Sequence, residues 1–192
     1  LGLSGKWSQR RCCAHCGLRL LFHNKPSLWF CDQLHYGTLT YASPGDFRKK
    51  FLAIGPDVTL GARGLSAAMW ERIVITSPGW ELAKLLMDQG RMSGIGNYLK
   101  AEILYHARLS PHQTLSSLTT EQRNDLYNAI VTVPMAWYLY RIRRGPCPKL
   151  RVYGCKATPD GRPIIRTQTL DGRVSHWCPS VQEPAFAAEA GL

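Results

Sequence analysis

The chain has 192 residues, enough to bury one or two compact cores, and its hydrophobic content of 45% excludes a disordered chain. No apolar run reaches the roughly eighteen residues that a membrane-spanning helix needs. Lys and Arg number 24 against 13 Asp and Glu, a formal charge of +11. That excess favours a polyanionic partner, because each neutralised phosphate releases a counterion.

The chain opens Leu1-Gly2-Leu3-Ser4-Gly5, with neither an initiator methionine nor the apolar core of a signal peptide, so a truncated amino terminus is expected. Leu18 to Phe22 and Leu28 to Cys31 are predicted strands joined by a Pro-containing turn, with Leu39 to Tyr41 a third strand ended by Ser43-Pro44-Gly45. From there to Gly64, glycine and proline punctuate a loop. At Thr76-Ser77-Pro78 the pattern changes. Ser77 is a predicted N-cap with Pro78 in the first helical position, and a helix to Gln89 places Leu82, Leu85 and Leu86 on one face. After a turn from Gly90 to Gly96, a second helix runs from Asn97 to Ala107 with Leu99, Ile103 and Leu104 at helical spacing. Thr119 and Gln122 form a capping box that opens a long helix through Leu126, Ala129, Ile130 and Val133. Pro134 is expected to kink or break it. Beyond Gly145-Pro146 strand and turn return, with Ile164 to Thr169 a strand between turns at Pro159-Asp160-Gly161 and Asp171-Gly172.

Two constellations carry chemistry. Gly94-Ile95-Gly96-Asn97 permits a tight turn with uncovered amides directly before a helix, whose amino end attracts phosphate, and Asn97 adds a side-chain donor. Spacing alone leaves this reading level with a plain helix connection. Between Arg141 and Arg173, basic residues are opposed only by Asp160 and Asp171, which is either a nucleic-acid footprint or a solvated basic face. The seven cysteines are not spaced like a secreted disulfide scaffold, so reduced thiols are expected. Cys13-x2-Cys16 with Cys31-x3-His35 does have the spacing of a Cys3His zinc module.

The run from Leu85 to Pro111 resembles the helix–two-turn–helix element of the formamidopyrimidine glycosylase/endonuclease VIII (Fpg/Nei) family: Leu-Met-Asp-Gln, Gly-Ile-Gly-Asn, Ala-Glu-Ile-Leu, then Ser-Pro. The resemblance implies that Asn97, with Gly94 and Gly96, grips a DNA phosphate, and that Glu102 lies in the helix behind. Val152-Tyr153-Gly154 and Trp177 to Gln182 resemble the entry to and exit from the family's carboxyl-terminal zinc finger. Only Cys155 and Cys178 remain there, with His176 a third candidate, short of the four donors a structural zinc needs, so a zinc-less finger is expected. Arg173, on the tight turn Asp171-Gly172-Arg173, matches the arginine that clamps phosphates beside the flipped nucleotide; its planar fork suits phosphate oxygens. Leu1 to Gly5 resembles the family's Leu-Gly-Met-Ser-Gly turn, making Leu3 the wedge that fills the emptied duplex. Asp32 to Gly37 stands where many members have Asp-Pro-Arg-Arg-Phe-Gly, making Tyr36 the aromatic wedge and leaving Leu34 or His35 in place of an arginine.

The implied fold is α+β: a remnant of an amino-terminal β-sandwich over 1–64, a helix–two-turn–helix domain over 65–147, a zinc-less β-hairpin finger over 148–182 and a flexible tail over 183–192. The implied protein is a base-excision DNA glycosylase and abasic-site lyase for oxidised bases, a monomer acting on damaged duplex DNA, intracellular and DNA-associated, with no membrane and no cofactor. The family's nucleophilic proline, its glutamate and its hairpin lysine lie upstream of the Leu-Gly-Met-Ser-Gly turn, so this chain alone is expected to be inactive. The alternative is a non-catalytic nucleic-acid-binding protein built on the same element.

Overall fold

The computed structural model describes residues 6–33 and 40–182. The chain divides into two compact units, Leu1–Arg48 and Lys49–Leu192.

The first unit is a three-stranded antiparallel sheet of β1 (Lys6–Ser8), β2 (Cys16–Phe22) and β3 (Lys25–Cys31), in the order β1-β3-β2. His23 and Asn24 make the β2–β3 turn, and Asn24 takes a φ of 58° that asparagine tolerates better than most residues. Pro26 fits in the central strand because β1 pairs only with Trp29, Phe30 and Cys31, beyond its reach. The third strand is thus β1, not Leu39 to Tyr41: Leu39 lies outside the described residues and Tyr41 is in no element. Ser43 ends no strand. Its Oγ accepts from the Asp46 N–H and opens helix α1 (Pro44–Leu52), within which the two units meet in sequence.

The second unit is helical. Ser66 caps α2 (Ala67–Thr76), its Oγ accepting from the Met69 N–H. The chain then turns through Pro78-Gly79 into α3 (Leu82–Met87), α4 (Asn97–His106) and α5 (Thr120–Arg141). Ser77 therefore closes α2 rather than capping a helix from Pro78. No side-chain cap is needed at α3, because its first amides, Leu82 N–H and Ala83 N–H, donate to the carbonyls of Gln113 and Pro111. Val58, Leu65, Trp70, Leu86, Ile103 and Ile130 anchor one core. Full burial of each aliphatic member of this set contributes about 1.5–3 kcal/mol.

The Thr119–Gln122 capping box forms as expected, but α5 runs unbroken through Pro134. The proline removes a single i→i−4 bond, and the 3-10 turn Val58–Arg63 packs alongside the helix there. Gly61 makes that approach feasible: with φ at 61°, a Cβ would sit 2.9 Å from Met135 Sδ and 3.2 Å from the Val131 carbonyl oxygen. Gly61→Ala is therefore expected to lower stability by about 1–3 kcal/mol. A urea-unfolding midpoint unchanged from the parent would refute the close approach.

The unit ends in a hairpin of β4 (Ile165–Gln168) and β5 (Val174–Trp177), then a short turn of helix, α6 (Pro179–Gln182). Gln182 is fully buried and locks this end. Its Oε1 accepts from the Cys178 N–H and its Nε2 donates to the Leu109 carbonyl.

Candidate nucleic-acid interface

The turn between α3 and α4 is braced by one side chain. Gln89 Oε1 accepts from the Gly94 N–H at 3.2 Å, while its Nε2 donates to the Ile95 carbonyl at 3.0 Å. Gly94 is required here: its φ is 98°, and a Cβ would lie 3.2 Å from Thr59 Cγ2. The turn departs from expectation at both glycines. The Gly94 amide is engaged rather than uncovered, and Gly96 adopts φ −112° and ψ −179°, extended backbone open to any residue. What is left open is the amino end of α4, where no side chain caps the first amides. Its unsatisfied donors and partial positive charge make an anion-binding end.

Asn97 heads that helix. Its Nδ2 donates to the Val174 carbonyl at 3.0 Å, which ties α4 to the hairpin, and the amide's second hydrogen remains. Its Oδ1 is buried with no hydrogen-bond partner among the described residues. One residue before Val174, Arg173 is exposed on the turn that Gly172 makes with φ at 76°. The structure thus brings Asn97 and the Arg173 turn together.

The turn is fixed from below by a buried ion pair that nothing in the sequence pattern announces. Lys100, one helical turn after Asn97, is fully buried, and its Nζ lies 2.7 Å from Asp171 Oδ2. Asp171 also accepts from the Thr169 hydroxyl and the Arg173 N–H. Burial alone would raise the Asp171 pKa, but the hydrogen bonds from Lys100 and Thr169 outweigh it and hold the carboxyl below its ordinary 3.8. Glu81 supports the same turn, its Oε1 accepting from the Leu170 N–H. Asp171 is therefore spent on Lys100 and Asp160 on Arg162, which leaves Arg173 without a carboxylate ion pair among the described residues.

Beside Arg173 lies a recess of about 340 Å³ lined by Trp80, Lys84, Met87, Asp88 and Leu170. Lys84 Nζ and Arg91 Cζ stand 4.9 Å and 4.2 Å from the centre of the Trp80 ring, adding cations that sequence reasoning missed. Behind α4, the buried Glu102 carboxylate accepts from the backbone N–H groups of Arg151, Val152 and Tyr153 and so fixes the entry to the finger.

In the finger, His176 Nδ1 accepts from the Gly154 N–H. Burial lowers the His176 pKa, with Arg166 and Lys100 adding to the effect, so the neutral ring is favoured. Cys155 Sγ faces the Leu150 and Tyr153 carbonyls and Cys178 Sγ faces Ser180 Oγ. The proposed wedges Leu3, Tyr36 and His35 lie outside the described residues.

The expectation of no cofactor is overturned in the first unit. Cys12, Cys13, Cys16 and Cys31 place their sulfurs within 4.8 Å of one another, a group able to hold a metal ion. Cys13, Cys16 and Cys31 of the expected alternative set are joined by Cys12, while His35 lies outside the described residues. Nor are all the thiols reduced, since Cys16 and Cys31, paired across β2 and β3, are joined by a disulfide.

Two helices joined by a tight glycine turn, followed by a hairpin carrying an exposed arginine, make a helix–two-turn–helix element with a β-hairpin finger. The family model of the formamidopyrimidine-DNA glycosylase H2TH domain matches residues 59–136. Endonuclease 8 of Pectobacterium atrosepticum is 33% identical over 141 residues, covering 67% of this chain and 52% of that protein. Formamidopyrimidine-DNA glycosylase of Thermus thermophilus is 30% identical over 175 residues, covering 81% and 64%. The crystal structure of the MutM (Fpg) protein from Thermus thermophilus superposes with a TM-score of 0.73 at 27% identity, covering 94% of this chain and 73% of that one. Residues 59–136 thus carry an H2TH domain of the formamidopyrimidine-DNA glycosylase type, and the chain is similar to Fpg/Nei proteins over 67% to 81% of its own length. It spans about half to two thirds of the length of these curated relatives, 52% and 64%. Among the described residues, no helix is long and apolar enough to cross a membrane.

Proposed function

We propose that these residues form the DNA-gripping part of a base-excision repair glycosylase and abasic-site lyase acting on oxidised bases in duplex DNA. The observation that carries the reading is the pairing of the uncapped amino end of α4 with the Arg173 turn, joined through Asn97 and Val174. Two phosphate-seeking groups from segments far apart in sequence are held side by side. Asn97 and the first amides of α4 take one backbone phosphate, and Arg173 takes the phosphates beside the extruded nucleotide. Leu3, with Tyr36 or His35, fills the gap left in the duplex. A relative of this fold, Lactococcus lactis Fpg, has been solved with DNA containing an abasic site.

We propose further that these 192 residues by themselves bind damaged DNA as a monomer without cutting it. The test is binding of the 192-residue chain to duplex DNA with a reduced abasic-site analogue, against undamaged duplex, together with borohydride trapping on abasic DNA. Preference for the damaged duplex with no trapped adduct is expected. Equal affinity for both duplexes would favour a general nucleic-acid-binding protein instead, and a trapped adduct would overturn the inactivity of the chain.

A further inference from the structure

We infer that the first unit holds a zinc ion on Cys12, Cys13, Cys16 and Cys31 when its thiols are reduced, and that oxidation to the Cys16–Cys31 disulfide expels the ion. This centre lies outside the finger at the other end of the chain and is independent of the DNA reading. A tetrahedral zinc with four sulfurs at about 2.3 Å sets them about 3.8 Å apart. Here Cys12 Sγ lies 3.7 Å from Cys16 Sγ and 3.1 Å from Cys31 Sγ, and Cys13 Sγ lies 3.9 Å from Cys16 Sγ. All four fall within 4.8 Å. The sulfurs thus already cluster near the edge length of a ZnS4 tetrahedron; the bonded Cys16–Cys31 pair must part and the 3.1 Å Cys12–Cys31 separation must widen.

The fold supplies the ligands from two sides. Cys16 and Cys31 are buried and face each other across the β2–β3 ladder, a rigid base. Cys12 and Cys13 come from the loop after β1, which has no regular structure of its own to hold it. A metal bond from each would fasten that loop to the sheet. Four thiolates around Zn2+ leave a formal charge of −2 on the centre. Arg10 and Arg11 directly precede the ligands, and Lys6 is the β1 residue opposite Cys31, which places positive charge where it favours thiolate.

The disulfide and the metal exclude each other, because a sulfur in an S–S bond is no longer a thiolate. With hydrogen peroxide as the oxidant, the two thiolates of Cys16 and Cys31 give up two electrons. The S–S bond forms, the O–O bond breaks, two protons from solvent complete two waters, and Zn2+ passes to solvent. Cys12 and Cys13 are then released as thiols, each taking a further proton from solvent, and Cys12 stays close enough to attack the disulfide when reductant returns.

The test starts from the 192-residue chain purified under reducing conditions without chelator, with metal measured by plasma mass spectrometry. About one zinc per chain is expected, and cobalt(II) in its place should give the visible bands and sulfur-to-metal charge transfer of a tetrahedral thiolate site. Cys12→Ser and Cys13→Ser, both in the loop, should each weaken metal affinity at least tenfold with the sheet intact by circular dichroism, while Cys147→Ser and Cys155→Ser retain it. Peroxide titration in the presence of a chromophoric chelator should release zinc in step with a Cys16–Cys31 disulfide mapped by peptide mass. A reduced chain that takes up neither zinc nor cobalt overturns the site, as does binding insensitive to both loop variants. Zinc release without that disulfide overturns the switch.

Discussion

Lys100→Met is expected to lower the unfolding free energy by about 3–5 kcal/mol, the cost of removing one partner from a buried ion pair. The lysine side chain is 0% and that of Asp171 4% exposed, so the carboxylate left behind could not be rescued by water. It would keep only the Thr169 hydroxyl and the Arg173 N–H. The double variant Lys100→Met/Asp171→Asn should recover part of the loss, because the orphaned charge is gone while an oxygen still accepts from Thr169. The pH dependence has a definite sign. Asp171 has a folded pKa held below 3.8, so its contribution is complete above the ordinary carboxylate range and fades as pH falls through the depressed value. Lys100→Met should weaken that acid limb. Urea unfolding at neutral pH and at stepwise lower pH measures both effects, and a loss under about 1 kcal/mol at neutral pH would mean that the pair is not structurally important.

The same pair shows what the sequence could and could not disclose. Asn97 and Arg173 were legible because short turns with glycine announce themselves locally, and both flanks match a family pattern. Lys100 was not. Within Asn-Tyr-Leu-Lys-Ala-Glu it reads as an ordinary solvated position, and its partner lies 71 residues away, a pairing that only the tertiary fold creates. Glu102 hides for the same reason, its partners being backbone amides 49 to 51 residues on. The helices divide similarly. The capping box of α5 was readable, while α2 was overlooked although Ser66 and the Trp70–Ile73 spacing carry its signal. Ser77 misled because a serine before proline looks like a helix start, whereas here carbonyls of the 111–113 loop supply what a cap would. Pro134 misled because a local rule about a lost hydrogen bond is overridden by packing against Gly61. At the cysteines the spacing pattern groups Cys13, Cys16 and Cys31 with His35; the fold adds the exposed neighbour Cys12, whose sulfur lies 3.1 Å from that of Cys31, while His35 lies outside the described residues.

Arg173→Ala is expected to weaken binding to duplex containing a reduced abasic site by about 10- to 100-fold, the loss of one charged hydrogen-bonding contact worth roughly 1.5–3 kcal/mol. Because the guanidinium neutralises phosphate, the variant should also flatten the dependence of log affinity on log salt by about 0.9. Asn97→Ala should weaken binding to a similar degree with little change in salt slope, since a neutral amide releases no counterion. The two losses should not add. Asn97 Nδ2 holds the Val174 carbonyl next to Arg173, so removing the asparagine also loosens the arginine, and the double variant should lose less than the sum of the single losses. Arg173→Lys separates charge from geometry: it should keep the salt slope and lose part of the affinity, because an ammonium cannot reproduce the bidentate fork. Titrations at two salt concentrations with damaged and undamaged duplexes give all of these quantities. If both single variants bind like the parent at low and high salt, the interface lies elsewhere, and the basic residues around Arg151 and Arg162, near the other end of α4, become the place to look.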